Sequence, residues 1–232
     1  MQHDLNESTN MTHTSLHRQK TPIILVADQI DDNYVSLQTM VEPWGWDLQL
    51  SKTALDTSRI ALKQAVSLVL LDLDKASAVS LESARVLRSL AAPSAAAPIL
   101  ALRSSPTKID PIPIHVDAVI DRNTSLDSLV QQLECWRPVS LEPTRRIAKM
   151  FGPGPIAGMI ERLARRLEPA LANIEQGIID RSEAHRLAGL CGTLGFGRAH
   201  VAWLDLSLGD DSVVSDVRRT TRLVLSAVAR GL

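Results

Sequence analysis

Apolar positions along this chain change their period near residue 138. Before that point, short apolar runs stand at "IILVA" (23–27), "WDLQL" (46–50), "VSLVLL" (66–71), "ILAL" (99–102) and "VDAVI" (116–120). Between and after them lie "NYVSLQTMVE", "DTSRIALKQA", "LESARVLRSLAA" and "LDSLVQQLECW", with apolar residues at helical spacing. The most apolar runs have the pattern of strands buried on both faces, so the alternation predicts βαβ units and a parallel sheet covered by helices. After "WRPVSLEP" (136–143), whose two prolines suggest a linker, every pattern is helical. One stripe joins Ile156, Met159, Ile160, Leu163, Leu167, Ala170, Leu171 and Ile174. A second is predicted from Val201, Leu204 and Leu208, and a third from Val213, Val217, Val224 and Val228.

The expected fold class is therefore α/β, a flavodoxin-like doubly wound parallel five-stranded sheet, followed by an all-α antiparallel helical bundle. The expected domains are 21–138 and 139–232, with residues 1–20 as a polar, disordered tail. The tail histidines His3, His13 and His17 read as solvated. Between the fourth and fifth strands, Pro106, Pro111 and Pro113 argue against a full helix, because an interior proline costs about 3 kcal/mol.

Composition narrows the function classes. The net charge of −1 gives no general electrostatic pull toward nucleic acid or an anionic membrane. No apolar run reaches membrane-span length, and Cys135 and Cys191 both read as reduced core residues, so a cytoplasmic setting is expected. The sequons at Asn6, Asn10 and Asn123 carry little meaning there. The sequence shows neither a Gly-rich phosphate loop nor a Cys/His metal cluster.

The stretch "RSEAHRLAGLCGTLGFG" (181–197) is the most informative. Asp180 and Glu183 predict a capping box, and Gly195 and Gly197 a stop. At about 100° per residue, Leu187, Leu190, Cys191 and Leu194 fall on a core-facing arc. His185, Ala188, Gly189 and Gly192 fall on the opposite, solvent-facing arc. A helix-interior glycine costs about 0.8–1 kcal/mol relative to alanine, so two beside one histidine suggest that another surface approaches the imidazole. An exposed imidazole nitrogen is a competent nucleophile toward phosphoryl groups. His115 and His200 lack such surroundings and read as incidental.

"AHRLAGLCGTLGF" resembles the signature of histidine-containing phosphotransfer (HPt) domains in His185, Leu187, Gly189, Leu194 and Gly195. The resemblance spans about residues 141–232. It implies that His185 accepts a phosphoryl group from a receiver aspartate and passes it on, with Gly189 and Gly192 giving the partner access. The family's usual lysine is Ala188 here, and Arg186 is the candidate replacement for its positive charge.

Residues 21–138 resemble a response-regulator receiver domain. In "ILVADQIDDN", Asp28 matches the first residue of the family's acidic pair, Gln29 replaces the second, and Asn33 follows. In "LVLLDLD", Asp72 stands at the phosphoacceptor position. Arg103 aligns with the family's Thr/Ser, and Arg122 with its lysine. Receiver chemistry needs carboxylates that hold Mg²⁺, and here only Asp28 and Asp72 clearly remain for it. The half therefore reads as a pseudo-receiver, with the metal expected on a partner receiver instead.

Taken together, the resemblances imply a stoichiometric phosphoryl carrier rather than a turnover enzyme. Its expected partners are receiver domains of response regulators or hybrid histidine kinases, and the receiver-like half would dock or form a homodimer. An adaptor or inhibitor of a histidine kinase or response regulator is the alternative. A third reading keeps Asp72 active in a self-contained relay.

Overall fold

The computed structural model describes residues 21–26, 37–39, 41–74, 77–104, 113 and 115–231. Five parallel strands, β1 (Thr21–Val26), β2 (Trp46–Ser51), β3 (Leu68–Asp72), β4 (Ile99–Arg103) and β5 (Ala118–Asp121), lie in the order β2-β1-β3-β4-β5. Pleating sends alternate side chains to opposite faces. Leu68 and Leu70 of β3 join a core with Trp46, Leu129 and Leu133, while Val69 and Leu71 join one with Ala61, Ala84 and Leu87. Helices α1 (Ala54–Lys63) and α2 (Ser77–Ser89) therefore cover one face, and α3 (Leu126–Glu134) covers the other. This strand order with helices on both faces is doubly wound, and it gathers polar groups beyond the carboxyl ends of the strands. The tail and most of the proline-rich stretch fall outside the described residues, as do Asp28, Gln29 and Asn33.

The second half comprises α4 (Glu142–Phe151), α5 (Pro153–Glu175), α6 (Arg181–Thr193), α7 (Gly197–Ser207) and α8 (Val214–Ala229). All five contribute to one buried or half-buried apolar cluster. The α5 stripe is buried as its spacing predicts, apart from the half-buried Met159. Helix α7 corrects the expected stripe: Val201 and Leu208 are exposed, whereas Ala199, Ala202, Trp203 and Leu206 face the core. Trp203 fixes that rotation, because its Nε1–H donates to the buried Thr221 Oγ1 at 3.1 Å. A polar anchor on a large aromatic outweighs the two exposed aliphatic positions, while Leu204 of the expected stripe stays half-buried against the core.

The segment between the halves is held in place. Trp136 and Leu141 are buried, and the Arg137 guanidinium lies 4.6 Å from the Trp46 ring centroid. Helix α8 packs against the Pro93–Ala96 turn, Arg222 Nε donates to Asp117 Oδ1 at 2.7 Å, and Arg230 Nη1 donates to Ser67 Oγ at 2.8 Å. The two halves thus share a polar seam along α8.

The cysteines differ from the expected core pair. Cys191 is buried, but Cys135 is exposed because it ends the last turn of α3 on its outer side. Burial pushes the Cys191 thiol up to about 12. A thiol reagent at pH 8 is expected to modify Cys135 alone in the native chain, and Cys191 only after denaturation. Rapid native labelling of both would contradict the packing of α6.

Candidate functional site

Helix α6 is built to hold His185 at a fixed place on the surface. Its N-terminal turn is capped by Asp180, whose side chain accepts from the Glu183 N–H at 3.0 Å. The reciprocal half of the expected capping box is absent, because the Glu183 carboxylate turns to Arg166 and Arg186 instead. Arg166 Nε donates at 2.7 Å and Arg186 Nε at 3.1 Å. The Arg166 hydrogen bonds hold the Glu183 carboxyl below the usual glutamate range, with Arg186 adding to the effect.

The other end closes with a Schellman turn. Phe196 N–H donates to Cys191 O at 2.8 Å, and Gly195 N–H to Gly192 O at 3.1 Å. Gly195 takes φ +86°, while Gly197 does not end α6 but begins α7. A Cβ at Gly195 would stand 2.7 Å from Pro143 Cβ, and Thr144 Oγ1 donates to Leu194 O at 2.7 Å. The start of α4 thus clamps the α6–α7 turn. Gly195→Ala is expected to cost roughly 2–4 kcal/mol in chemical denaturation, from left-handed backbone strain plus the clash. A cost below about 1 kcal/mol would show that α4 yields at this turn.

Within this frame, His185 is exposed and has no hydrogen-bond partner among the described residues. Gly189, one turn on, has nothing within 4 Å of where a Cβ would be. The two together leave the imidazole approachable. Gly192 is different: its missing Cβ would lie 3.0 Å from His200 Nδ1, so its bareness admits a ring of this same chain. His200 Nδ1 lies 2.9 Å from Ala188 O, and since a carbonyl only accepts, that nitrogen carries a proton. Ala188 is buried rather than solvent-facing, and half-buried His200 is a structural pin between α6 and α7. Small residues on the histidine's own helix conceal that pin in the sequence. The signal for it is an i, i+4 pair of small residues, Ala188 and Gly192, facing a histidine on the next helix.

The α/β half places Asp72 at the end of β3, buried, with its carboxylate bound by the Arg122 guanidinium from beyond β5. The Asp74 N–H donates to Asp72 Oδ1 at 3.2 Å, and Ser104 donates to Asp74 Oδ2 through both N–H and Oγ at 2.7 Å. Arg103 is half-buried at the end of β4. The structure thus gathers Asp72, Arg122 and Arg103 at the carboxyl edge of the sheet. A cation already sits on the Asp72 carboxylate, where a divalent metal would need it. No cluster of three or more metal-ligating side chains occurs among the described residues.

No family model matches the chain, and no curated protein matches it. Among solved structures, it is similar to the receiver domain of the sensor histidine kinase PA1611 from Pseudomonas aeruginosa PAO1, a structure with magnesium in its active-site cleft. The identity is 19% and the TM-score 0.43, covering 50% of this chain and 97% of that one. It is also similar to the chemotaxis response regulator CheY4 of Vibrio cholerae, at 14% identity and TM-score 0.41, over 50% and 98%. The response regulator StyR aligns at 16% identity and TM-score 0.39, over 86% and 98%. No helix among the described residues is long and apolar enough to cross a membrane.

Proposed function

We propose that this chain is a phosphorelay carrier, a histidine phosphotransfer bundle joined to a receiver-like domain that has lost its own chemistry. The observation that carries the reading is His185, exposed and unpartnered at mid-helix among the described residues, with open space over Gly189. The unprotonated ring nitrogen of His185 attacks the phosphorus of a partner's aspartyl phosphate. An N–P bond forms, the acyl P–O bond breaks, and the aspartate leaves as carboxylate while the other ring nitrogen keeps its proton. Magnesium belongs to the partner receiver, which supplies the counter-charge. Partners are receiver domains of response regulators or hybrid histidine kinases, and the receiver-like half selects them or pairs with a second copy. The chain is consumed and regenerated stoichiometrically and is no enzyme in its own right.

One observation favours the alternative, a phosphorylation-independent adaptor of the same partners. Ala188 supplies no cation, and Arg186 is tied to Glu183 rather than turned toward His185. Incubation with phosphorylated receiver domains from the same source, followed by intact-mass measurement and site mapping, separates the two. Label on His185, and none on Asp72, is expected for the carrier. Binding without label on either residue would establish the adaptor.

A further inference from the structure

The seam along α8 encloses a cleft of about 590 Å³, lined by residues of both halves. Arg88 of α2, His115 and Asp117 before β5, Glu175 at the end of α5, and Arg218 and Arg222 of α8 border it. Asp117 is saturated: its carboxylate accepts from Arg88 Nη2, from Arg222 Nε and from the Ile99 N–H, each at 2.7 Å. Arg88 Nη1 donates to Ala95 O at 2.7 Å and Ala97 O at 2.6 Å, and its Nη2 also reaches His115 O at 3.4 Å. Glu175 lies 3.9 Å from Arg222.

Arg218 is left over. Its Nε is buried and has no hydrogen-bond partner, and no carboxylate pairs with its guanidinium among the described residues. Three guanidiniums thus face two carboxylates, both already engaged by Arg222. Burial, and after the attraction of Asp117 the repulsion of Arg222, hold the Arg88 guanidinium below its usual range. His115, at the rim, holds φ +72°, a conformation that side-chain-bearing residues rarely adopt and that recurs at ligand sites. A buried donor without a partner is uncommon in a folded chain and calls for an acceptor.

We infer that this cleft is a binding site for a phosphate-bearing small molecule of nucleotide size, with Arg218 as its principal anchor. A phosphate presents three acceptor oxygens to convergent guanidiniums, where a carboxylate presents two. The volume exceeds that of an inorganic anion and lies in the range of small-molecule sites. Because the walls belong to both halves, an occupant would tie the α/β half to α5 and α8. The site is independent of His185, which is not among the residues that line it.

Calorimetric titration of the full chain with adenosine monophosphate, inorganic phosphate and succinate tests this. Saturable binding is expected for adenosine monophosphate, weaker binding for inorganic phosphate, and none for succinate. Arg218→Gln is expected to weaken adenosine monophosphate at least about tenfold, the loss of one charge-assisted contact. Because Arg218 has no partner to lose among the described residues, that variant should melt like the wild type without ligand. Arg218→Lys, which keeps the charge but not the fork, should fall between the two, and His185→Ala should bind normally. Absence of saturable phosphate binding, equal binding of succinate, or indifference to Arg218→Gln would each overturn the assignment. If Arg218→Gln fails to fold, Arg218→Lys carries the comparison.

Discussion

Arg122→Ala is expected to destabilise the chain by about 3–5 kcal/mol, the usual cost of stripping the partner from a buried charge. The Asp72 side chain is 5% exposed and that of Arg122 18%. The carboxylate would keep the Asp74 N–H at 3.2 Å but lose the guanidinium that balances its charge. A chain of this size melts about 2–4 °C lower per kcal/mol, so a fall on the order of 10 °C should be seen by circular dichroism. The mechanism makes a further demand. Asp72→Asn on the Arg122→Ala background should restore much of the loss, because the buried negative charge that the guanidinium offset is gone. A variant within about 0.5 kcal/mol of the wild type would mean that water already solvates Asp72. The same result bears on function, since a carboxylate held this way is a poor nucleophile and a poor metal ligand.

Much of this fold is legible in the order of residues, for reasons that also account for the differences. Parallel strands buried on both faces leave continuous apolar runs, so β3 and β4 stand out and end within two residues of their predicted limits. The α5 stripe is equally plain, because seven buried apolar positions share one helical phase. Helix α7 is less legible because Val201 and Leu208 outrank alanine in hydrophobicity. Its core face instead uses the small Ala199 and Ala202, with Trp203 and Leu206 buried beside them. Ala188 lies on the buried rather than the open arc for a related reason. A short side chain sits as easily in a tight helix–helix contact as on a surface, and only the position of His200 decides between them. Alignment places Arg122 in the α/β site, but its pairing with Asp72 spans fifty residues and becomes visible only with the sheet order.

His185→Ala is expected to abolish transfer of label from a phosphorylated receiver while leaving the melting curve unchanged. Both halves of that statement follow from the same geometry. The side chain is exposed and makes no hydrogen bond among the described residues, so its loss removes no packing, and alanine is the better helix former. A fall in stability above about 1 kcal/mol would mean that His185 is a structural residue, and would remove the main support for the carrier reading. Gly189 sharpens the test. Gly189→Ala should stabilise α6 by up to about 1 kcal/mol, since a Cβ there meets nothing. Gly189→Trp should also fold, yet block approach to the imidazole and slow labelling of an intact His185. A residue that stabilises the helix while stopping transfer separates what the fold needs from what a partner needs. If Gly189→Trp labels as fast as the wild type, the partner does not approach over Gly189, and the bare face of α6 is not its docking surface.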